Sequence, residues 1–257
     1  MNGVRAPVAA GSFYPARAAE LADVVDRLLV EAEPPAVPGE LRALVVPHAG
    51  YVYSGAVAAA AFALLPAGAP GLRAAVVGPS HFVPLIGAAV TGAAAWRTPL
   101  GEVPVDDGLR AKALEARAVV DDRPHSADHA LEVQLPFLQR RAAADLRVLP
   151  VAVGHGGADV VATLAADALV VVSTDLSHYH DDVTARLVDR RTTDRVLDLD
   201  AEAIQDLDAC GAAALRALLR HARAAGWTCT LLDLRTSADA TGDVSRVVGY
   251  GAFALTQ

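Results

Sequence analysis

Short runs of β-branched and aliphatic residues alternate along this chain with longer stretches rich in alanine, leucine and arginine. The short runs are typical of buried strands, and the longer stretches are typical of helices. This alternation favours an α/β fold, a three-layer α/β/α sandwich in which helices cover both faces of a largely parallel central sheet. We expect strands at residues 44–46, 74–77, 148–153, 169–172, 228–232 and 247–253. We expect helices at residues 16–30, 55–65, 129–144, 182–197 and 211–224.

Composition limits the class of protein further. Hydrophobic residues make up 53% of the 257 positions, enough to form the core of a single domain over residues 1–257. The net charge of −8 gives no basic face for phosphates, so we expect no nucleic-acid partner. The most apolar stretch ends before Pro66, well short of the ~20 residues that a membrane span needs. With two cysteines and no visible secretory signal, we expect a cytoplasmic protein.

Three of the expected strands lead directly into turns that contain a histidine. His48 follows the first strand, His81 follows the second, and His178 follows the strand at residues 169–172. Ligands of open α/β sheets bind beyond the carboxyl ends of the strands, so three histidines at this edge indicate a site. Imidazole is the commonest metal ligand and also titrates near neutral pH, which leaves both metal binding and acid–base chemistry open.

Cys210 adds to the argument for a metal. It directly precedes an expected helix, and the dipole at a helix N-terminus favours thiolate. One thiolate with two imidazoles suits iron, copper or zinc, and does not suit magnesium or calcium. From the sequence alone, a small buried apolar residue is an equally good interpretation of Cys210. Cys229 lies within an apolar strand pattern and is interpreted as a core residue.

Two further groups of polar residues are candidates for a site. His129 and Glu132 are three residues apart, so on a helix they would share a face as a ligand–carboxylate or acid–base pair. Asp128, just before them, can cap that helix. His178 and His180 are two residues apart and could lie on one face of a strand, which leaves a metal hydrolase open as an alternative.

Seven motifs, taken in order, resemble those of one known family. They occupy residues 9–15, 46–55, 78–81, 96–101, 129–137, 173–179 and 246–250, and so run nearly from end to end. In number and order they resemble the MEMO family, whose prokaryotic members are called AmmeMemoRadiSam system protein B. The chain departs from the family pattern at Asp128, where a glutamate is usual, at Ala130, where a serine is usual, and after Gly211, where three alanines replace Arg-Gly-Pro.

The resemblance implies a fold related to the class III extradiol dioxygenases of the LigB type, which hold non-haem iron with two histidines and a glutamate. In the MEMO family a cysteine takes the place of the glutamate, and the site binds iron or copper. Carried over by motif, His48 and His81 are the imidazole ligands and Cys210 is the thiolate ligand. Asp175 and His178 fall beside the metal and are the catalytic candidates. The residues expected to line the site around them are His129, Glu132 and Tyr51.

The leading hypothesis is therefore a metal-dependent redox protein that binds one iron or copper ion, with zinc possible, and in which His178 moves protons. One alternative is a non-catalytic module whose cleft holds a peptide, a protein segment or a small aromatic ligand. A second alternative is the metal hydrolase. The operon name of the family implies two protein partners, an AMMECR-type protein and a radical-SAM protein.

Overall fold

The computed structural model describes residues 3–157 and 159–257, in which strands and helices alternate along most of the chain. The strands are β1 (Val4–Arg5), β2 (Leu41–Val46), β3 (Arg73–Gly78), β4 (Ile86–Val90), β5 (Ala95–Thr98), β6 (Gly101–Pro104), β7 (Val119–Val120), β8 (Arg147–Val153), β9 (His155–Gly156), β10 (Leu169–Ser173), β11 (His178–His180), β12 (Thr228–Thr236) and β13 (Val247–Thr256). The α-helices are α1 (Ala18–Glu31), α2 (Tyr51–Phe62), α3 (Asp107–Glu115), α4 (Arg123–Ser126), α5 (Leu135–Arg141), α6 (Asp159–Ala165), α7 (Asp182–Leu197), α8 (Ala212–Ala225) and α9 (Ala238–Thr241). Short 3₁₀ helices span Glu132–Gln134 and Ala201–Ala203.

A large mixed sheet organises these elements, with the strand order β11-β13-β2-β10-β3-β8-β4-β7. Its four central strands, β2, β10, β3 and β8, are parallel. On one side β13 pairs antiparallel with β2, β11 and β12, and on the other side β4 pairs antiparallel with β8. The short strands β7 and β9 pair parallel with β4. The expectation of a largely parallel sheet therefore describes the centre and these two short strands, whereas the sheet as a whole is mixed.

The central strands are buried on both faces, which explains their continuous apolar sequence. In β3, for example, residues 74–77 have no exposed surface, as is typical of strands covered on both sides. The pairing register places Val172 of β10 beside Val45 of β2 and Val77 of β3. Because these parallel strands end at the same level, the turns that follow them meet at one edge of the sheet.

The helices pack in two groups. In one group α1, α2 and α5 contact one another; in the other α6 contacts both α3 and α8. Helix α2 is apolar on nearly every side and contacts β2, β12 and β13, as expected of a helix enclosed by its neighbours. Gly55 allows α1 to approach it, since a Cβ at that position would lie 2.9 Å from Leu28 Cδ1. No helix in the described part of the chain is both long enough and apolar enough to cross a membrane.

The sequence-based elements agree with the structure except around residue 129. Each predicted strand overlaps an observed one, and the predicted helix at residues 182–197 has the bounds of α7. The helix predicted at residues 129–144 is instead the 3₁₀ helix Glu132–Gln134 followed by α5, and His129 precedes both. The Asp128 carboxylate accepts hydrogen bonds from the backbone N–H groups of His81 and Ala130, so it organises a loop here instead of a helix. The correction also removes the shared helix face predicted for His129 and Glu132.

The N-terminal segment is fixed to the domain by one buried carboxylate. Glu132 has no exposed surface, and its Oε2 accepts hydrogen bonds from Arg5 Nη1 at 2.5 Å and from the backbone N–H of Val8 at 2.9 Å. Its Oε1 accepts hydrogen bonds from the backbone N–H of Ala9 at 2.9 Å and from the Tyr14 hydroxyl. Four donors from one segment therefore converge on a single side chain, which determines the path of residues 5–14.

We predict that Glu132→Gln destabilises the protein by about 3 kcal/mol, because the buried Arg5 guanidinium loses its charged partner. Urea unfolding monitored by circular dichroism would measure the change. The matched control is Glu102→Gln, which removes a surface pair with Arg97 at 2.6 Å in which both side chains are about half exposed. That change should cost less than about 1 kcal/mol. Equal effects of the two substitutions would contradict this account of the N-terminal segment.

Candidate metal centre

Three predicted ligands meet at the edge where the parallel strands end. His48 follows β2, His81 follows β3, and Cys210 lies in the loop before α8. One donor atom from each of the three side chains lies within 4.8 Å of the others, and the Cys210 Sγ is 3.2 Å from His48 Nε2. The rings of His48 and His81 are 5.1 Å apart and nearly perpendicular. The structure thus brings together the residues that the sequence analysis proposed as ligands.

A buried hydroxyl fixes the orientation of the His48 ring. Ser173 Oγ lies 3.1 Å from His48 Nδ1, 2.6 Å from the Ala130 carbonyl oxygen and 2.9 Å from Gln134 Nε2. A carbonyl can only accept, so the single Ser173 proton is donated to Ala130, and the oxygen must accept from both His48 Nδ1 and Gln134. His48 therefore carries a proton on Nδ1, and its Nε2 faces Cys210.

The Asp128 carboxylate fixes the orientation of the His81 ring. Asp128 Oδ1 lies 3.1 Å from His81 Nδ1, and Oδ2 accepts a hydrogen bond from the His81 backbone N–H at 2.7 Å. Burial raises the pKa of Asp128, but its hydrogen bonds with His81 and Ala130 outweigh this effect and lower the pKa to about 2. Asp128 is thus an acceptor at neutral pH, which assigns the Nδ1 proton to His81 and leaves Nε2 for a ligand. This arrangement of carboxylate and imidazole is typical of histidines that bind metals.

The loop around Cys210 is packed closely against the end of β10. The Cys210 Sγ accepts a hydrogen bond from the backbone N–H of Asp175 at 3.2 Å, and the Cys210 N–H donates to the Asp175 carbonyl at 3.2 Å. Gly211 is required next to it, because a Cβ there would lie 2.7 Å from the Cβ of Thr174. Burial raises the pKa of the Cys210 thiol, but the nearby His48 and His81 rings outweigh this and lower it to about 6. Cys210 is therefore largely thiolate at neutral pH.

Anionic groups around the two ligand rings stabilise positive charge on their imidazoles. Burial lowers the pKa of His48 and of His81, yet the first is raised to about 9, chiefly by Cys210 and Asp175. Hydrogen bonds and charge from Asp128 and Cys210 raise the pKa of His81 to about 10. At these pKa values both rings carry protons on both nitrogens at pH 7, and a metal ion that binds there would displace the Nε2 protons. The two Nε2 atoms and the thiolate are then a suitable donor set for a transition metal. The residues present therefore fit a metal ion.

His129 adds a third imidazole beside the two ligand rings. Its ring stacks on His81 at 5.3 Å between centroids and meets His48 edge-on at 5.6 Å. The His129 ring also stacks against Phe13, with 3.9 Å between centroids. Burial and the neighbouring His48 lower the pKa of His129 to about 4, so this ring is neutral at pH 7. Together with Asp128 and His81 it also forms a second group of donor atoms that lie within 4.8 Å of one another.

Of the other predicted site residues, Asp175 contacts two of the ligands, whereas Tyr51 and Glu132 bond to other parts of the structure. The Asp175 carboxylate Oδ1 accepts a hydrogen bond from the His48 backbone N–H at 2.7 Å, so Asp175 contacts both His48 and Cys210. Tyr51 is buried at the start of α2, where its hydroxyl donates to the Val133 carbonyl at 2.6 Å. Glu132 binds the N-terminal segment, as described above.

His178 and His180 lie on the short strand β11 at the edge of the sheet. His178 Nδ1 donates to the Leu176 carbonyl at 2.8 Å. Between them Tyr179 has a φ of 66°, which breaks the alternation of an ordinary strand. Neither histidine belongs to a group of three potential metal ligands among the described residues. The structure therefore gives the metal-hydrolase alternative, which relied on this pair, no ligand set.

Several contributors to the site were missed from the sequence. Ser173 and Gln134 were inside recognised motifs, but nothing in their spacing indicates that they meet at the His48 ring. Asp128 was interpreted as a helix cap, and its contact with His81 depends on a loop that the helical pattern concealed. Phe13 lies within a recognised motif, but its residue type does not suggest a role in a metal site. Its contact with His129 is visible only in the folded structure.

Comparison with known proteins identifies the family. The family profile described as Memo-like protein matches residues 5–254. The chain belongs to the Memo-like family. A MEMO1 family protein of Methanosarcina acetivorans is 34% identical over 268 residues, which cover 97% of this chain and 98% of the relative. The chain is similarly related to a MEMO1 family protein of Methanothermobacter thermautotrophicus, with 34% identity over 96% of this chain and 98% of the relative. A MEMO1 family protein of Nitrosopumilus maritimus is 31% identical, with 97% and 98% covered.

Membership of the Memo-like family agrees with the sequence analysis, which reached the same family from seven motifs. The family profile covers the three candidate ligands and the residues that orient them, since all lie between residues 5 and 254. The grouping of His48, His81 and Cys210 as possible metal ligands is observed in this chain and does not depend on the relatives.

We predict that Asp128→Asn weakens Zn²⁺ binding by about 10- to 100-fold, the usual effect of removing the partner of a metal-binding histidine. The amide cannot hold the His81 Nδ1 proton with a full negative charge. Competition with a chromophoric chelator would measure the affinity. Asp26→Asn, which changes an exposed carboxylate paired with Arg140, is the matched control and should leave the affinity unchanged. Wild-type affinity in Asp128→Asn would contradict the assigned role.

Proposed function

We propose that this Memo-like protein binds one iron or copper ion through His48, His81 and Cys210 and performs oxygen-dependent redox chemistry. The observation that carries the proposal is the Cys210 sulfur, 3.2 Å from the Nε2 of His48, whose Nδ1 proton is held by Ser173. A soft thiolate with two imidazoles accommodates copper and iron. A bound ion of this kind would supply one-electron redox chemistry that the side chains alone lack.

The residues of the chain have distinct parts in this proposal. Ser173 and Asp128 hold the Nδ1 protons, so the Nε2 atoms are the nitrogens left for a metal, and that of His48 lies 3.2 Å from the Cys210 sulfur. Asp175 links the loops of His48 and Cys210 and keeps the two ligands together. We assign proton transfer to His178, whose Nδ1 is held by the Leu176 carbonyl and whose Nε2 remains available. The His129 ring, whose pKa is lowered to about 4, adds no third positive charge beside His48 and His81.

We also propose that the domain has the three-layer arrangement of the LigB-type dioxygenases. Two separate groups of helices support this, one formed by α1, α2 and α5 and the other by α3, α6 and α8. The parallel strands at the centre of the sheet are buried on both faces, as that arrangement requires.

A reducing compartment such as the cytoplasm would keep the Cys210 thiolate free of oxidation.

Metal analysis tests the ligand set. Protein purified without oxygen should contain about one iron or copper ion per chain, and His48→Ala, His81→Ala and Cys210→Ser should each lose it. His155→Ala and Cys229→Ser are matched controls that should retain the metal, since neither residue belongs to the three-ligand group. Retention of the metal in Cys210→Ser would contradict the proposed ligand set. Stoichiometric zinc in the wild type would contradict the redox chemistry.

The thiolate also predicts a difference from the dioxygenases. A cysteine beside activated oxygen is exposed to sulfenic and sulfinic oxidation, so we predict that the metal-loaded protein does not cleave simple catechols efficiently. Oxygen uptake with catechol or protocatechuate should remain far below ~1 s⁻¹, the lower end of usual enzyme turnover. Turnover at or above that rate would show that the thiolate does not prevent dioxygenase chemistry.

A further inference from the structure

A cavity of about 550 Å³ is lined in part by Phe13, whose ring stacks on His129. Its walls are formed by residues 11–15, helix α1, the first turns of α2, the end of β12 and helix α9. Its lining is mostly apolar and aromatic, and includes Phe13, Tyr14, Tyr51, Tyr53, Val24 and Leu28. The volume falls within the range of sites for small molecules.

The charge that this cavity offers to a ligand is positive. Three charged side chains line it, Arg27, Arg235 and Asp239. Asp239 already accepts hydrogen bonds from Arg186 and from the Thr236 backbone N–H, and Arg235 is paired with Asp233 at 2.8 Å.

Arg27 differs from the other two charged side chains. Within residues 3–157 and 159–257, it has no hydrogen bond or ion pair with another side chain. A guanidinium binds a carboxylate with two parallel hydrogen bonds. Among the cationic side chains of this lining, Arg27 is the one that remains available to bind a carboxylate of a ligand.

We propose that this cavity binds a small organic molecule with an apolar body and one carboxylate, and that Arg27 binds the carboxylate. The aromatic and aliphatic lining, which includes the exposed side chains of Tyr53 and Val52, would cover the body of the molecule. The inference goes beyond the proposed metal chemistry and does not depend on it, because His48, His81 and Cys210 do not line the cavity.

The cavity nevertheless adjoins the metal centre. The Phe13 ring lines the cavity and is stacked at 3.9 Å on His129, whose ring contacts both ligand histidines. The Phe13 carbonyl accepts a hydrogen bond from the Tyr51 backbone N–H at 2.8 Å, and this holds the shared wall against the start of α2. A bound molecule would therefore contact the same aromatic ring that supports the site.

The experiment uses 4-phenylbutyrate as the probe and its neutral amide as the matched ligand, with affinities measured by saturation-transfer NMR titration. Wild-type protein should bind the acid with a Kd on the order of 1 mM, as expected for a ligand of this size. The amide should bind the wild type about threefold or more weakly, and Arg27→Gln should weaken binding of the acid by about the same factor. Arg17→Gln changes an exposed arginine outside the lining and should bind the acid as the wild type does.

Two further variants locate the bound probe. Ala56→Trp places a large ring in the cavity and should abolish binding, with circular dichroism to verify folding. Cys210→Ser should bind the acid as the wild type does, because Cys210 does not line the cavity. If the probe instead bound to a metal at the candidate centre, loss of the Cys210 ligand would abolish its binding. The proposal is overturned by the absence of saturable binding up to about 10 mM, tenfold above the expected Kd. It is also overturned by smaller effects of the amide or of Arg27→Gln, by binding to folded Ala56→Trp, or by loss of binding in Cys210→Ser.

Discussion

The hydroxyl of Ser173 occupies the position on which the candidate metal centre depends. It stands at the end of the central strand β10, fully buried, between the chain segments that carry His48 and Ala130. The Ser173 hydroxyl donates its one proton to the Ala130 carbonyl, so its oxygen can only accept a hydrogen bond from His48 Nδ1. The His48 nitrogen that faces Cys210 is therefore Nε2. The parallel pairing of β10 with β2 and β3 brings His48 and His81 to one edge. Hydrogen bonds between Cys210 and Asp175, which follows β10, bring the third ligand to the same edge. Strand register and side-chain protonation are therefore linked through a single residue.

The support for this edge extends well beyond the ligands. The loop at residues 127–131 carries Asp128 to His81 and His129 to both ligand rings. The same region continues into Glu132, which binds the N-terminal segment, and that segment carries Phe13 back to His129. A buried carboxylate with charged and neutral donors is costly to disturb. The N-terminal residues are consequently part of the structure that surrounds the centre, although they contribute no donor atom to it.

Much of this arrangement was predictable from local sequence patterns. Buried parallel strands have continuous apolar sequences, so β2, β3 and β10 were recognised from the sequence. His48 and His81 were then identified as candidates because they lie in the turns after β2 and β3. The short strands β4 to β7 were missed because two to five residues give too little periodicity to recognise. The interpretation of His129 and Glu132 as one helix face was wrong because the Asp128 side chain bonds the backbone and competes with helix formation. Contacts such as Ser173 with His48 join residues 125 positions apart, and no local pattern records them.

The central claim is that His48, His81 and Cys210 bind one redox-active metal ion together. X-ray absorption spectroscopy of the metal-loaded protein, at the iron or copper edge, tests it most directly. The account predicts nitrogen scatterers at about 2.0–2.1 Å and one sulfur scatterer at about 2.3 Å, distances typical of protein imidazole and thiolate ligands. The sulfur contribution should be absent from Cys210→Ser and preserved in Cys229→Ser. A wild-type spectrum with only nitrogen and oxygen neighbours would contradict the account.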